Sequence, residues 1–312
     1  MIDVLTVTLN PALDLSTSAP QVLPTHKIRC ETLQRHPGGG GVNVARVIHR
    51  MGGHCTALYP AGGATGAVFQ KLLDEEGVSS ICVPIAGETR ESFSVKDISS
   101  GCEFRFVLPG PELKTSDWAA CLDRIAESDY LPQFLVASGS LPPGVPDDFY
   151  ARLSRLLKIR NVKLVLDSSG AALSLALDEG VYLCKPSLRE LRELCGEELS
   201  TEADWRRAGQ DLIKQGRAQV LVLSLGEGGA CLFTHDVSYF APALPVKVAS
   251  AIGAGDSFVG AMVWALSKGH DIPDAFKFGV AGATAALLSH GTGLCQFEEV
   301  SRLYERVSLV RI

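Results

Sequence analysis

The chain reads as an α/β protein: a mostly parallel sheet covered by helices, with a small antiparallel β lid beside it. Three observations carry that reading. Short β-rich apolar runs alternate with longer helical patterns along most of the 312 residues. The apolar runs are continuous and end in small or polar residues, as strands buried on both faces do. Two segments break this rhythm with strand-like alternation and no helix between them.

In chain order, Asp3–Leu9 (DVLTVTL) is a strand and not a signal peptide, having no charged segment ahead of a long apolar one. Cys55–Pro60, Phe134–Gly139, Val162–Ser169 and Val220–Gly226 are further strands, and helical patterns cover Val42–Met51, Ala67–Glu76, Asp147–Lys158, Leu188–Cys195 and Glu202–Gln215. The alternating segments are Thr25–Gln34 and Thr89–Leu108, the second with a turn near Ser99-Ser100-Gly101. They predict one domain over residues 1–312 with lid segments at about 15–36 and 88–108, whose strand edges suit a homodimer. Ligands in such sheets gather beyond the carboxyl ends of the strands. The polar tails Asn10-Pro11, Ser138-Gly139, Asp167-Ser168 and Ser224-Leu225-Gly226 are therefore candidates for one crevice.

A net charge of −6 and the lack of any apolar run of transmembrane length argue against nucleic-acid and membrane partners. Nine cysteines without a CxxC pair point to free thiols in a reducing cytoplasm, not to a zinc site or a disulfide framework.

Two glycine-rich stretches carry the chemistry. Pro37–Gly53 (PGGGGVNVARVIHRMGG) places four glycines ahead of a helix, where backbone can approach a ligand and the helix terminus favours anionic or hydroxyl groups. Asn43 stands where a third glycine would complete GxGxxG, and no GxxxxGK[ST] occurs, so the dinucleotide and P-loop signatures both fail. In Ala251–Phe258 (AIGAGDSF), Gly253, Ala254 and Gly255 can aim successive amides at one spot, with Asp256 behind them. Taken alone, an Asp at this place more commonly caps the helix.

The two stretches, in this order and spacing, resemble the signatures of the PfkB (ribokinase-like) sugar kinase family. TLNPALD, PAGGATG, FRFVLPGPEL, SGSLPPGVP, LDSSGAAL, KPSLREL, VLSLGEGGA and GTGLC extend the resemblance along nearly the whole chain. It implies a ribokinase-like three-layer α/β/α fold and, in the phosphofructokinase branch, ATP-dependent phosphorylation of the 1-hydroxyl of fructose 6-phosphate. A 1-phosphofructokinase, a tagatose-6-phosphate kinase and a non-catalytic sugar-phosphate or nucleotide sensor are the alternatives.

On this resemblance Asp256 is the catalytic base beside an anion hole made by Gly253, Ala254 and Gly255. Asp14, Asn43, Gly39, Gly40 and Ser140 hold the sugar, and Lys27, Arg90 and Arg105 hold its phosphate. Lys185, Ser187, Ser224, Gly226 and Gly229 fall on ATP-binding positions, and Glu190 orients water on Mg2+. Ser250, Ile252, Ala286, Ser289 and Gly291 match a region where many members bind K+. Two positions depart from the family pattern: Ser187 replaces the Asn of Asn-x-x-Glu, and Ala251 replaces a frequent threonine. Read without the resemblance, Asp14 and Ser140 are equally turn residues, keeping an edge soluble is the lesser alternative for the strand arginines, and an isolated lysine such as Lys185 is more often ordinary surface.

Overall fold

The computed structural model describes residues 3–127, 131–289, 291 and 293–312. The chain opens with β1 (Val4–Val7), β2 (Ala12–Ala19), β3 (Gln34–Gly38), α1 (Gly40–Arg50), β4 (Cys55–Ala61), α2 (Gly63–Glu75) and β5 (Ser79–Pro84). It continues through β6 (Arg90–Asp97), β7 (Glu103–Val107), α3 (Thr115–Ala126), β8 (Phe134–Ser138), α4 (Phe149–Ile159), β9 (Lys163–Asp167) and α5 (Gly170–Glu179). Then come β10 (Val181–Cys184), α6 (Leu188–Cys195), α7 (Glu202–Lys214), β11 (Ala218–Ser224), β12 (Ala230–Phe233) and β13 (Ser238–Ala241). Helices α8 (Ala254–Ser267), α9 (Ile272–Leu287) and α10 (Phe297–Tyr304) precede the short β14 (Val310–Arg311).

Among the described residues the large sheet runs β14-β13-β12-β11-β10-β9-β8-β1-β4-β5. It is parallel from β5 to β11 and antiparallel from β11 to β14. Alternate residues of one strand enter opposite cores, which is why the strand sequences are apolar throughout. Leu135 and Ala137 pack with helices α3 to α7, whereas Phe134 and Val136 pack with α1, α8, α9 and α10. That is a three-layer α/β/α architecture.

The second sheet has the order β3-β2-β6-β7. It is antiparallel within β2–β3 and β6–β7, and a parallel β2–β6 register joins the two halves. The strand expected at Thr25–Gln34 is not there. Residues 20–33 form no regular strand, and pairing begins only at Gln34. Pro20 and Pro24 bring no amide donors to a ladder, and Thr25 adopts φ +63, outside the β region. The lid strand that pairs with β3 is instead β2, which already starts at Ala12. Helix α2 also begins four residues before the expected Ala67, because Gly63-Ala-Thr-Gly carries no apolar periodicity to reveal it. All nine cysteines are free thiols.

Helices α1 and α8 lie so close that a Cβ on Gly260 would sit 2.6 Å from Val47 Cγ1. Gly260→Val would force them apart, at a cost of about 1–3 kcal/mol for overpacking. A lower urea midpoint with an unchanged m-value is the expected result of equilibrium unfolding.

Candidate active site

Strands β1, β8 and β9 pair in parallel, so their carboxyl ends share one edge of the sheet. A cavity of about 300 Å³ lies there, bordered by Gly39, Gly40 and Asn43 from the start of α1, and by Ile252, Gly253 and Asp256 from the start of α8. The lid adds Asp14, Arg90, Ser92 and Arg105 from above. Gly38 makes room for one of these, since a Cβ there would meet the Asp14 carboxylate at 2.1 Å.

Gly253 enters α8 in left-handed backbone, φ +76, and no side chain caps the helix. The amides of Gly255 and Asp256, at the second and third helical positions, are left without an intrahelical partner and suit an anion. Asp256 does not fold back as a cap. Its Oδ2 accepts a hydrogen bond from Asn43 Nδ2 at 2.8 Å, while Asn43 Oδ1 accepts one from Arg46 Nη1 at 3.2 Å. Arg46 is fully buried and places Nε and Nη2 on the Glu76 carboxylate, at 2.9 and 2.7 Å for the shortest pairs. Desolvation pushes Asp256 up to about 6; the Asn43 bond and Lys185 pull down against it, and Asp167 and Asp14 push up.

Asp14 is also pushed up to about 6 by burial, opposed by Arg105, Arg46 and Arg90 and by a hydrogen bond from Ser92. Arg90 is pinned to the cavity wall, Nη2 donating to Asn10 O at 2.9 Å and Nη1 to Leu108 O at 3.2 Å. Arg105 makes no hydrogen bond or ion pair among the described residues. It is the adaptable cation of the pair. Ser140 borders the cavity and its Oγ accepts from Asn10 Nδ2 at 3.3 Å.

On the opposite side Lys185 is buried, with Nζ 3.2 Å from Asp167 Oδ1. Burial alone would draw its pKa down, but Asp167, with help from Asp256 and Glu190, holds it above the ordinary lysine value, so it stays charged. Gly255 lies against it, since a Cβ there would be 3.5 Å from Lys185 Nζ. Ser187 caps α6: its Oγ accepts from Glu190 N at 3.3 Å, and Glu190 Oε2 accepts from Ser187 N at 2.8 Å. Ser224 bridges to Ser187, and Gly226 and Gly229 open and close the 3-10 turn beyond β11.

The pfkB family carbohydrate kinase model matches residues 8–299. The chain belongs to the pfkB family of carbohydrate kinases. It is 44% identical over 302 residues to the ATP-dependent 6-phosphofructokinase isozyme 2 of Mycobacterium tuberculosis, covering 97% of this chain and 89% of the relative. To the 1-phosphofructokinase of Bacillus subtilis it is 32% identical, over 98% and 99% of the two chains. The crystal structure of Escherichia coli phosphofructokinase-2 in complex with potassium superposes with a TM-score of 0.93, at 39% identity and over 98% and 99% of the chains. A tetrameric inhibited form of that enzyme has also been solved.

Not every residue expected at the site of this kinase borders the cavity. Lys27 sits in the exposed loop between β2 and β3 and does not line it, a correction that follows from the missing strand at Thr25–Gln34. Ser224 ends β11, and Ser187, Gly226 and Gly229 lie beyond the ends of β10 and β11; all four are outside its walls. Ser250 and Ile252 belong to the turn before α8, and Ala286, Ser289 and Gly291 to the end of α9. The two are tied by Ala249 N donating to Leu287 O at 2.7 Å. Conversely, Ser92, Ser138, Asp167, Ser168 and Ser169 line the cavity without having been assigned a role. Their signal was position, since all but Ser92 lie at or just beyond the polar end of a parallel strand. Among the described residues no cluster of three acidic, histidine or cysteine side chains forms a ready metal cage.

Asp256 and Asp14 both gain protons near pH 6. The kcat/KM of this kinase should be flat above that pH and fall below it, with a limiting slope approaching two. Asn43→Ala removes the donor that favours the ionised form of Asp256, so it should shift the acid limb to higher pH. Initial rates from about pH 5 to about pH 8 check both outcomes.

Proposed function

We propose that this kinase transfers the γ-phosphoryl group of ATP to the 1-hydroxyl of fructose 6-phosphate by direct in-line attack. The observation that carries the reading is Asp256, a carboxylate tuned close to neutrality, bound to Asn43 and not used as a helix cap, beside the open amides of α8. A protein that only bound sugar phosphate would have no use for a base at an anion-binding turn. The names of the relatives support the same substrate, the 6-phosphofructokinase being the more similar and the 1-phosphofructokinase the more distant.

Asp14 and Asn43 accept and donate hydrogen bonds to sugar hydroxyls, while Arg90 and Arg105 take up the 6-phosphate at the lid. Asp256 withdraws the proton from the attacking hydroxyl. The amides of Gly255 and Asp256 and the charged Lys185 stabilise negative charge on the phosphoryl group in transit. Mg2+ fits the chemistry of the acidic groups at this cavity, Glu190 and Asp167, and would neutralise charge on the nucleotide phosphates when bound. The carbonyls of the turn Ser250–Ile252 and of the α9 end suit K+, in keeping with the potassium complex of the E. coli relative.

Asp256→Asn should lower turnover by about 10²–10⁴-fold while fructose 6-phosphate still binds in calorimetry. The same substitution should stabilise the fold. Asp256 is raised from 3.8 to about 6, so its ionised form is disfavoured in the native state; the gain is present above about pH 6 and disappears as pH falls toward 4. Among fructose 6-phosphate, fructose 1-phosphate and tagatose 6-phosphate assayed side by side, the first should give the highest kcat/KM. A higher value for either of the others overturns the substrate.

The outer face of the lid leaves Phe106 55% exposed and Phe104 39% exposed. Such a strip supports a homodimer formed through the lids. Phe106→Asp should convert a dimer to a monomer in sedimentation equilibrium, and a parent protein that is already monomeric counts against this interface.

A further inference from the structure

The lid carries one pair of charged side chains that no role above uses. Lys96 and Glu103 face each other across the antiparallel β6–β7 register. Both reach consecutive residues of the turn that leads into α8. Lys96 Nζ donates to Ala249 O at 2.6 Å, and Ser250 Oγ donates to Glu103 Oε2 at 2.8 Å. The Ser250 hydroxyl accepts in turn from the Ile252 amide at 3.2 Å. Glu103 therefore anchors the group that shapes the turn immediately before Gly253.

The placement of these bonds is what gives them meaning. Ser250 is only 4% exposed, and both lid side chains are half-buried, so these charge-assisted bonds are partly shielded from water. Side chains two apart on a strand share a face. Glu103 thus lies on the face of Arg105, and Lys96 on the face of Arg90 and Ser92, which border the sugar cavity. One end of the hairpin handles the sugar phosphate and the other grips the turn of the anion hole. A cavity of about 720 Å³ lies beside the grip, bordered by Lys96, Glu103, Ala249 and Gly291, so packing does not duplicate it there.

We propose that Lys96 and Glu103 are positioning residues, a two-point latch through which a sugar phosphate held by the lid sets the turn that receives the phosphoryl group. The inference rests on the kinase reading given above. A phosphate that draws Arg90 and Arg105 together holds the hairpin in place, and the latch passes that restraint to Ala249–Ile252. Each substrate then tightens the other, which is a coupling between two sites and so must be reciprocal.

The coupling is read by calorimetry, as the factor by which saturating fructose 6-phosphate changes the Kd of a non-hydrolysable ATP analogue with Mg2+. Glu103→Ala and Lys96→Met should each reduce that factor at least about fivefold, within the range that coupled sites show. Neither should move the Kd of the analogue alone by more than about twofold. Glu103→Gln keeps an oxygen for the Ser250 hydroxyl and should recover most of the coupling, which a loss due to general loosening of the lid would not do. An unchanged factor in the Glu103→Ala/Lys96→Met double variant overturns the latch, as does a factor lost equally in Glu103→Gln. If fructose 6-phosphate does not bind the parent protein, it is the substrate assignment that fails. The latch is then read with whichever of the three ketohexose phosphates is the best substrate.

Discussion

The site depends on a single bond of 2.8 Å, from Asn43 on α1 to Asp256 on α8. It joins the two helices whose amino ends define the cavity, and it stabilises the ionised form of Asp256, the carboxylate proposed as the base. An amide can face a carboxylate with its NH2 or, unfavourably, with its oxygen. Arg46 decides the matter, because its permanently charged guanidinium takes the Asn43 oxygen and leaves the NH2 for Asp256. That arginine is fully buried, so it needs Glu76 to hold its remaining face. The line Glu76, Arg46, Asn43, Asp256 therefore runs from the end of α2 to the cavity wall. The close approach of Gly260 to Val47 gives it a fixed length.

Charge of both signs is gathered around the cavity. Four carboxylates, Asp14, Asp167, Glu190 and Asp256, border one space, and Asp167 and Asp14 both make it harder for Asp256 to ionise. Lys185 is held against Asp167 and so offsets it, while Arg90 and Arg105 stand on the lid near Asp14. The two arginines divide the work. Arg90 is fixed by two backbone carbonyls and supplies a directed charge, whereas the Arg105 side chain, near Asp14, makes no hydrogen bond among the described residues and is free to turn toward a ligand.

What the sequence made legible was local. Gly253-Ala-Gly-Asp and the four glycines before Asn43 are contiguous, so their geometry is written in a few neighbouring residues. The crevice at the strand ends was legible too, because the polar tails at Ser138 and Asp167 mark where parallel strands stop. The rest depends on register. That Asp14 lies opposite Ser92, or that Lys185 meets Asp167, follows from which strands pair and by how many residues, and no short motif carries that. Thr25–Gln34 shows the reverse error. Its alternation imitates a strand, but Pro20 and Pro24 ahead of it and the positive φ of Thr25 give it no ladder to join, and Lys27 leaves the cavity with it.

The two departures from the family pattern take on a clearer meaning beside these contacts. Ser187 is not an idle replacement, since its hydroxyl closes a reciprocal cap with Glu190 and so orients that carboxylate at the cavity edge. Ala251 removes a hydroxyl beside the anion hole, yet the turn around it is held from three directions. Ala249 N bonds the end of α9, Ala249 O bonds Lys96, and the Ser250 hydroxyl links Glu103 to the Ile252 amide. Two of these three restraints come from the lid. A turn held from outside responds to whatever moves the lid, and in this molecule the same hairpin carries Arg90 and Arg105 at the cavity wall.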